Sequence, residues 1–266
     1  MRGTGLTSGR SRTRVTGWAV ATCTAVLLAL LITVAGCSGA GGSPAAAGTP
    51  VALGSGPAAA LQDQFQAVIK AVLPSVVQIN TSSSTGSGVV YDDKGDIVTN
   101  AHVVGTARQV GVLGAIGGDT LTAVVLGTDP AQDLAVVRVT SDAGQLHPAT
   151  FGQSKDVIAG QIVLAMGSPL GLTGSVTQGI ISATSRTVTE AASTGGSTTT
   201  IEDAIQTSAA INGGNSGGAL VDLEGHVIGI PTAAARDPEA GSAPGIGFAI
   251  PSDTVTSLVP RLLSGS

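Results

Sequence analysis

Gly213-Gly214-Asn215-Ser216-Gly217-Gly218 sets one serine between pairs of glycines, directly before the apolar run Ala219-Leu220-Val221. Glycines at 213, 214, 217 and 218 open backbone conformations closed to other residues, so the chain can turn sharply around Ser216. In such a turn the N–H groups of Gly214 and Ser216 can converge on one point and form an oxyanion hole. By themselves the same residues make only a glycine-rich turn. A serine hydroxyl is a weak nucleophile at neutral pH and needs a neighbouring base. The reading therefore depends on what else the chain can bring to Ser216.

There are three histidines. His147 lies beside Pro148, and His226 follows Leu223-Glu224-Gly225; both read as surface or turn residues. His102, within Thr99-Asn100-Ala101-His102-Val103-Val104, stands where an apolar strand containing Ile97 and Val98 ends. A histidine there is ordinary until an orienting carboxylate joins it. Asp129 precedes Pro130 and reads as a turn residue. Asp133 opens Leu134-Ala135-Val136-Val137, where a strand of core residues can hold a carboxylate at the inner edge of a barrel. A fixed carboxylate orients an imidazole and stabilises its charged form. Each segment means little alone, and the three together are far less probable by chance. Their order along the chain is that of the chymotrypsin-type triad, unlike that of subtilisins or α/β-hydrolases.

The rest of the composition agrees with an all-β body. The 266 residues are 42% hydrophobic but only 2% aromatic and 11% charged, with 39 glycines. Valine, threonine and glycine in this proportion suit short strands and tight turns. The first group of β-rich runs is Val76–Ile79, Gly88–Tyr91, Ile97–Ala101, Gln109–Leu113, Thr122–Leu126 and Leu134–Val139. Asp92-Asp93-Lys94-Gly95 reads as a hairpin turn. The second group is Gln161–Met166, Ser175–Ser182, Thr199–Thr207, Gly218–Asp222, Val227–Pro231 and Gly247–Ile250. Two sets of six short strands fit two barrels, over about 75–140 and about 160–250. No long helix separates the strands, which argues against a parallel α/β sheet. Leu61, Phe65, Val68, Ile69 and Val72 recur at helical spacing before Pro74. Ser252–Leu263 predicts a closing helix with Ser252 as its cap.

The N-terminal segment reads differently. Arg10, Arg12 and Arg14 lead into an apolar run from Ala19 to Ala35, the pattern of an export signal over residues 1–36. The run ends in Val34-Ala35-Gly36-Cys37, which resembles a bacterial lipobox with Cys37 as the lipid attachment site. The alternatives are an uncleaved anchor helix and ordinary cleavage, and all three place the body outside the cytoplasm. Residues 37–60, rich in Gly, Ala, Ser and Pro, read as a flexible tether, followed by one domain over 61–266. No cysteine follows Cys37, so no disulfide is expected despite an oxidising location. The formal charge of −5 includes four arginines before Cys37, so the body is more acidic than the whole chain. An acidic body argues against a nucleic-acid partner. No metal site or cofactor is expected.

Seven stretches in order carry a resemblance. They are Val72-Leu73-Pro74-Ser75-Val76-Val77, Gly86-Ser87-Gly88, Thr99–Val104, Asp133-Leu134-Ala135-Val136, Met166-Gly167-Ser168-Pro169-Leu170-Gly171, Ile211–Gly218 and Gly245-Ile246-Gly247-Phe248-Ala249-Ile250-Pro251. With them the region from about Val72 to Ile250 resembles the protease domain of the HtrA/Deg family of trypsin-like serine proteases. The resemblance implies a trypsin-like double six-stranded β-barrel with the site between the barrels, and cleavage of unfolded or damaged envelope proteins. It assigns His102 as base, Asp133 as orienter, Ser216 as nucleophile, and the N–H groups of Gly214 and Ser216 as oxyanion donors. The strand Gly245–Ile250 resembles the one that pairs with bound peptide and walls the primary pocket. Ile211, Ile246, Gly247 and Phe248 are accordingly the expected substrate-binding residues. No acid precedes the nucleophile in Ala209-Ala210-Ile211-Asn212, so an apolar pocket for a small or medium aliphatic side chain is expected.

The chain departs from the family at several points. Asn215 stands where digestive proteases carry an aspartate that pairs with a newly cut N-terminus, so activation by propeptide cleavage is not expected. Ser208 replaces the usual aspartate, and Gly213 the frequent Pro or Arg, next to the oxyanion loop. No C-terminal PDZ domain is expected, which removes the usual peptide sensor; a homotrimer is compatible with the family. The rival reading is a non-catalytic envelope chaperone or binding protein on the same fold, with its oxyanion loop held inactive.

Overall fold

The computed structural model describes residues 56–141, 143–144, 146–168, 174–190, 199–237 and 241–265. The export signal, Cys37, most of the tether and Pro169-Leu170-Gly171 lie outside the described residues.

Two closed antiparallel barrels of six strands each form the body. The first contains β1 (Val76–Asn80), β2 (Thr85–Val90), β3 (Asp96–Thr99), β4 (Gln109–Gly114), β5 (Leu121–Asp129) and β6 (Leu134–Val139). They run in the order β1-β2-β3-β6-β5-β4, and β4 pairs back on β1. The second contains β7 (Ile162–Gly167), β8 (Ser175–Glu190), β9 (Thr199–Thr207), β10 (Ala219–Val221), β11 (Val227–Asp237) and β12 (Gly241–Pro251). Their order is β10-β11-β12-β9-β8-β7, closed by β7 on β10. All twelve runs expected from the sequence are strands. The all-β, double-barrel fold is as expected.

The strands are continuous apolar runs because both of their faces are buried. Successive side chains point to opposite faces. Val77, Val90, Ile97, Ala135 and Val137 fill the first barrel. Val163, Ala165, Ile181, Ile205, Leu220, Ile228 and Ala249 form a separate cluster from all six strands of the second. Their sequence neighbours Val76, Val89, Val98, Leu134, Val136, Leu164, Met166, Ala219, Val221 and Ile250 join one cluster between the barrels and the terminal helices. Each valine, leucine, isoleucine or methionine among them contributes about 1.5–3 kcal/mol of burial.

Helix α1 (Pro57–Val72) packs Val68 and Val72 into that shared cluster, and a short 3-10 turn containing Pro74 ends it. The helix starts at Pro57, inside the stretch read as tether, because proline suits a first helical position whose N–H has no partner anyway. Helix α2 (Ala101–Val104) is one turn, and α3 (Ser252–Ser264) closes the chain with Val255, Leu258, Val259 and Leu262 buried. The expected Ser252 cap is not formed. The Ser252 hydroxyl donates to the Gly152 carbonyl at 2.8 Å, and Pro251 occupies the cap position. Among the described residues no helix is long and apolar enough to cross a membrane.

The hairpin at Asp92–Gly95 forms as read: Gly95 has φ 80°, and the Asp92 carboxylate accepts the Lys94 and Asp96 N–H groups. On the neighbouring strand Arg138 grips the fully buried Asp96 with two bonds, Nε to Oδ1 at 2.6 Å and Nη2 to Oδ2 at 2.7 Å. The hydrogen bond to Asp96 is the main reason the guanidinium titrates above its ordinary range. Arg138→Ala strands a buried carboxylate, while Asp96→Ala leaves a cation that water can reach. With the arginine partly hydrated, the former costs about 2–3 kcal/mol. In a domain of this size that lowers Tm by about 4–12 °C, more than Asp96→Ala does, measurable by calorimetry.

Candidate active site

The sequence brings His102 and Asp133 together through strand pairing. β3 and β6 are antiparallel neighbours, with Thr99 opposite Ala135, so the end of β3 meets the start of β6. Strand β3 stops at Thr99 rather than reaching Ala101 because the chain there turns to Asp133. The Ala101 N–H and the Asn100 side-chain amide both donate to the Asp133 carbonyl at 3.1 Å. These bonds hold Asp133 at φ 51°, a left-handed conformation that aspartate tolerates better than most residues. The one-turn helix α2 then places His102 over the carboxylate. His102 Nδ1 lies 2.7 Å from Asp133 Oδ2, and the His102 N–H donates to Oδ1 at 2.9 Å. The aspartate is 6% exposed and the imidazole 48%, so the base faces outward while its orienter is enclosed. Asp129 is the last residue of β5, and its carboxylate accepts the N–H groups of Ala131 and Gln132 in the turn that follows.

Ser216 arrives from the second barrel, on the loop before β10. Gly217 has φ 83°, and a Cβ there would collide with the Ser87 carbonyl, so glycine is required on both counts. The Gly217 N–H donates to the Pro231 carbonyl at 2.8 Å, and the Ser216 carbonyl accepts the Ser87 N–H at 2.9 Å. The Ser216 hydroxyl donates to the Thr232 carbonyl at 3.1 Å. Thr232 in turn donates its own hydroxyl to Asp133 Oδ2. One residue thus joins the nucleophile to the orienter across the cleft. Sequence reasoning missed Thr232, and its only signal was a threonine inside an otherwise apolar strand.

The oxyanion loop differs from expectation at Gly214. Its N–H donates to the Asn212 carbonyl at 2.6 Å, as does that of Asn215 at 2.9 Å. One of the two expected donors is therefore engaged within its own loop. Asn215 is buried, and its side-chain amide donates to the Ala210 carbonyl at 3.0 Å, an interaction an aspartate could not make. Ser208 accepts the Ile180 N–H at 3.0 Å at the edge of β8 and β9. Gly213 is exposed, with no heavy atom within 4 Å of the position a Cβ would take.

The four expected substrate-binding residues divide between two faces of β12. A Cβ on Gly247 would meet Ile211 Cγ1 at 2.5 Å, so these two touch, and Ile211 belongs to the second barrel's core. Ile246 and Phe248 emerge on the opposite face, Ile246 39% exposed and Phe248 half-buried. The backbone of Gly247–Ala249 is paired to both β9 and β11, which leaves no edge there for a peptide. Gly245 and Ile246, at the start of the expected peptide-pairing stretch, lie outside both sets of pairs. Strand β11 pairs with β10 only at Val227 and Gly229; beyond them its Pro231 and Thr232 carbonyls take the Gly217 N–H and the Ser216 hydroxyl. On the β10–β11 turn Asp222, Glu224 and His226 gather their donor atoms within 4.8 Å of one another. The Asp222 carboxylate already accepts the N–H groups of the other two, as in an ordinary turn.

Comparison with known proteins agrees with this architecture. Residues 86–230 match the model of the trypsin-like peptidase domain. The serine protease PepD of Mycobacterium tuberculosis is 42% identical over 211 residues, covering 73% of this chain and 45% of PepD. The serine protease Do-like HtrA of Lactococcus lactis subsp. cremoris is 46% identical over 187 residues, covering 68% of this chain and 45% of that protein. The chain thus spans less than half the length of these curated relatives. Among solved structures, the HtrA-type protease AlgW with a tripeptide superposes with a TM-score of 0.64 at 38% identity, over 75% of this chain and 63% of AlgW. With its two six-stranded barrels and with His102, Asp133 and Ser216 brought to the cleft between them, the chain belongs to the family of trypsin-like peptidase domains.

Proposed function

We propose that this chain is a serine endopeptidase of the HtrA/Do type that cleaves unfolded or damaged proteins outside the cytoplasm. The observation that carries the reading is the hydrogen-bonded chain His102–Asp133–Thr232–Ser216. With Asp133 accepting at Nδ1, the imidazole keeps its basic lone pair on Nε2. The Ser216 hydroxyl leaves the Thr232 carbonyl, passes its proton to Nε2, and its Oγ bonds to the scissile carbonyl carbon. The tetrahedral oxyanion is held by backbone N–H groups, which requires Gly214 to release Asn212. Collapse breaks the C–N bond, and His102 returns the proton to the leaving amine. Water then attacks the acyl-enzyme, giving its proton to His102 and freeing Ser216.

The test is labelling of the full-length protein with a fluorophosphonate probe, alongside digestion of a denatured protein. Labelling with cleavage supports the reading. Binding of denatured protein without either supports the chaperone reading, which the engaged Gly214 N–H favours. The sequence signal and Cys37 lead us to place the enzyme on the outer face of the bacterial cell membrane, held by a lipidated Cys37 or an uncleaved N-terminal helix. The partly exposed Ile246 and Phe248 on β12, with no acid before the nucleophile, lead us to expect an apolar primary pocket. Peptides with Val or Ala before the scissile bond are therefore cut faster than those with Arg. A peptide-library digest read by mass spectrometry checks this, and a preference for Arg overturns it.

A further inference from the structure

Ser87 lies in β2, on the first barrel, fully buried. Its contacts reach across to the loop of the nucleophile. The Ser87 N–H donates to the Ser216 carbonyl at 2.9 Å, and its hydroxyl donates to the Gly214 carbonyl at 2.5 Å. The same hydroxyl accepts the Ser168 N–H, just past β7, at 2.8 Å. The Ser87 carbonyl accepts the Thr99 hydroxyl at 2.6 Å.

We infer that Ser87 is a positioning residue for the oxyanion hole, clamping the carbonyls at both ends of Gly214–Ser216. The inference rests on the protease reading. A peptide plane carries the carbonyl of one residue and the N–H of the next. Clamping the Gly214 and Ser216 carbonyls fixes the planes on either side of the one that carries the Ser216 N–H. That N–H has no backbone partner among the described residues, as an oxyanion donor requires. The plane before the clamp carries the Gly214 N–H, now bonded to Asn212. It can swing toward substrate while the Gly214 carbonyl stays fixed, so that rotation at Gly213 and Gly214 is all the change needed. The plane of the Gly214 carbonyl is held at its other end by the Asn215 N–H on the Asn212 carbonyl. Without the Ser87 hydroxyl it hangs on that one bond, the Gly214 carbonyl tilts, and the two N–H groups converge less well.

A purely structural hydroxyl would stabilise the fold without this consequence, so the test compares transition-state with ground-state binding. The probes are a peptide boronic acid, whose tetrahedral adduct with a serine places an oxygen in the hole, and the matching peptide carboxylate. In Ser87→Ala the boronate binds about 10- to 100-fold more weakly, a loss approaching that of an oxyanion donor itself. The carboxylate binds as before, and the pH midpoint of kcat/KM does not move, because the His102–Asp133 pair is untouched. Ser252→Ala removes an equally buried hydroxyl far from the loop in sequence, with its bond to Gly152. It lowers Tm but leaves boronate affinity unchanged. If Ser87→Ala does not fold, Ser87→Cys, a weaker donor of similar size, carries the same comparison. Equal loss of both ligands, or no loss of boronate affinity, overturns the positioning role. Failure of the wild type to bind boronate instead defeats the protease reading.

Discussion

Ser216→Ala abolishes fluorophosphonate labelling and lowers peptide turnover by about a million-fold, the loss expected when a triad nucleophile is removed. The large effect is chemical, because the substitution disturbs little else. The residue is 9% exposed, and its hydroxyl makes a single described bond, to the Thr232 carbonyl. Losing one neutral hydrogen bond costs about 1 kcal/mol. The loop's shape is set by backbone bonds from Ser87 and to Pro231, and by the φ of Gly217, none of which needs the hydroxyl. The variant should therefore unfold within a few degrees of the wild type while retaining affinity for a denatured substrate. Labelling and peptide turnover, measured beside a thermal melt, check this. Wild-type labelling of Ser216→Ala would mean that another residue is the nucleophile, and the triad assignment would fall.

The barrels were legible because their strands are buried on both faces, and runs such as Leu134–Val137 and Leu164–Met166 cannot rest in an exposed sheet. The turn at Asp92–Gly95 was equally plain, since its chemistry is local. The triad was readable because three segments, each ordinary alone, occur together in the chymotrypsin-type order, and the family resemblance then assigned their roles. What stayed hidden depends on distant partners. Thr232 looks like any strand threonine until the fold sets its hydroxyl against Asp133, 99 positions earlier. Ser87 likewise gains its role from Gly214, 127 positions later. Strand edges were also invisible: β12 has the pattern of a peptide-binding strand, but over Gly247–Ala249 β9 and β11 occupy both its sides. The Gly214 N–H has two competing acceptors, the Asn212 carbonyl and a future oxyanion, and composition cannot choose between them.

Asp133→Asn lowers kcat by about ten-thousand-fold while leaving the fold in place, because an amide cannot satisfy three donors at once. In the wild type, Asp133 Oδ1 accepts the His102 N–H, and Oδ2 accepts both His102 Nδ1 and the Thr232 hydroxyl. Asparagine has one accepting oxygen and one donating nitrogen. If its nitrogen faces the His102 backbone, two N–H groups confront each other in a buried site, at a cost of about 1–3 kcal/mol. If its nitrogen instead faces the ring, the Thr232 hydroxyl can rotate to accept, and the imidazole can adopt the tautomer with Nδ1 unprotonated. The second arrangement satisfies more groups, so it dominates. It moves the imidazole proton to Nε2, where the ring can no longer take the proton of Ser216. The backbone does not object, since asparagine tolerates the φ of 51° as readily as aspartate and keeps the carbonyl that Ala101 and Asn100 bind. Steady-state kinetics on an apolar peptide should show the loss in kcat with KM little changed and Tm close to that of the wild type. A variant retaining activity within tenfold of the wild type would show that Asp133 does not set the tautomer of His102, and that the base is oriented by another group.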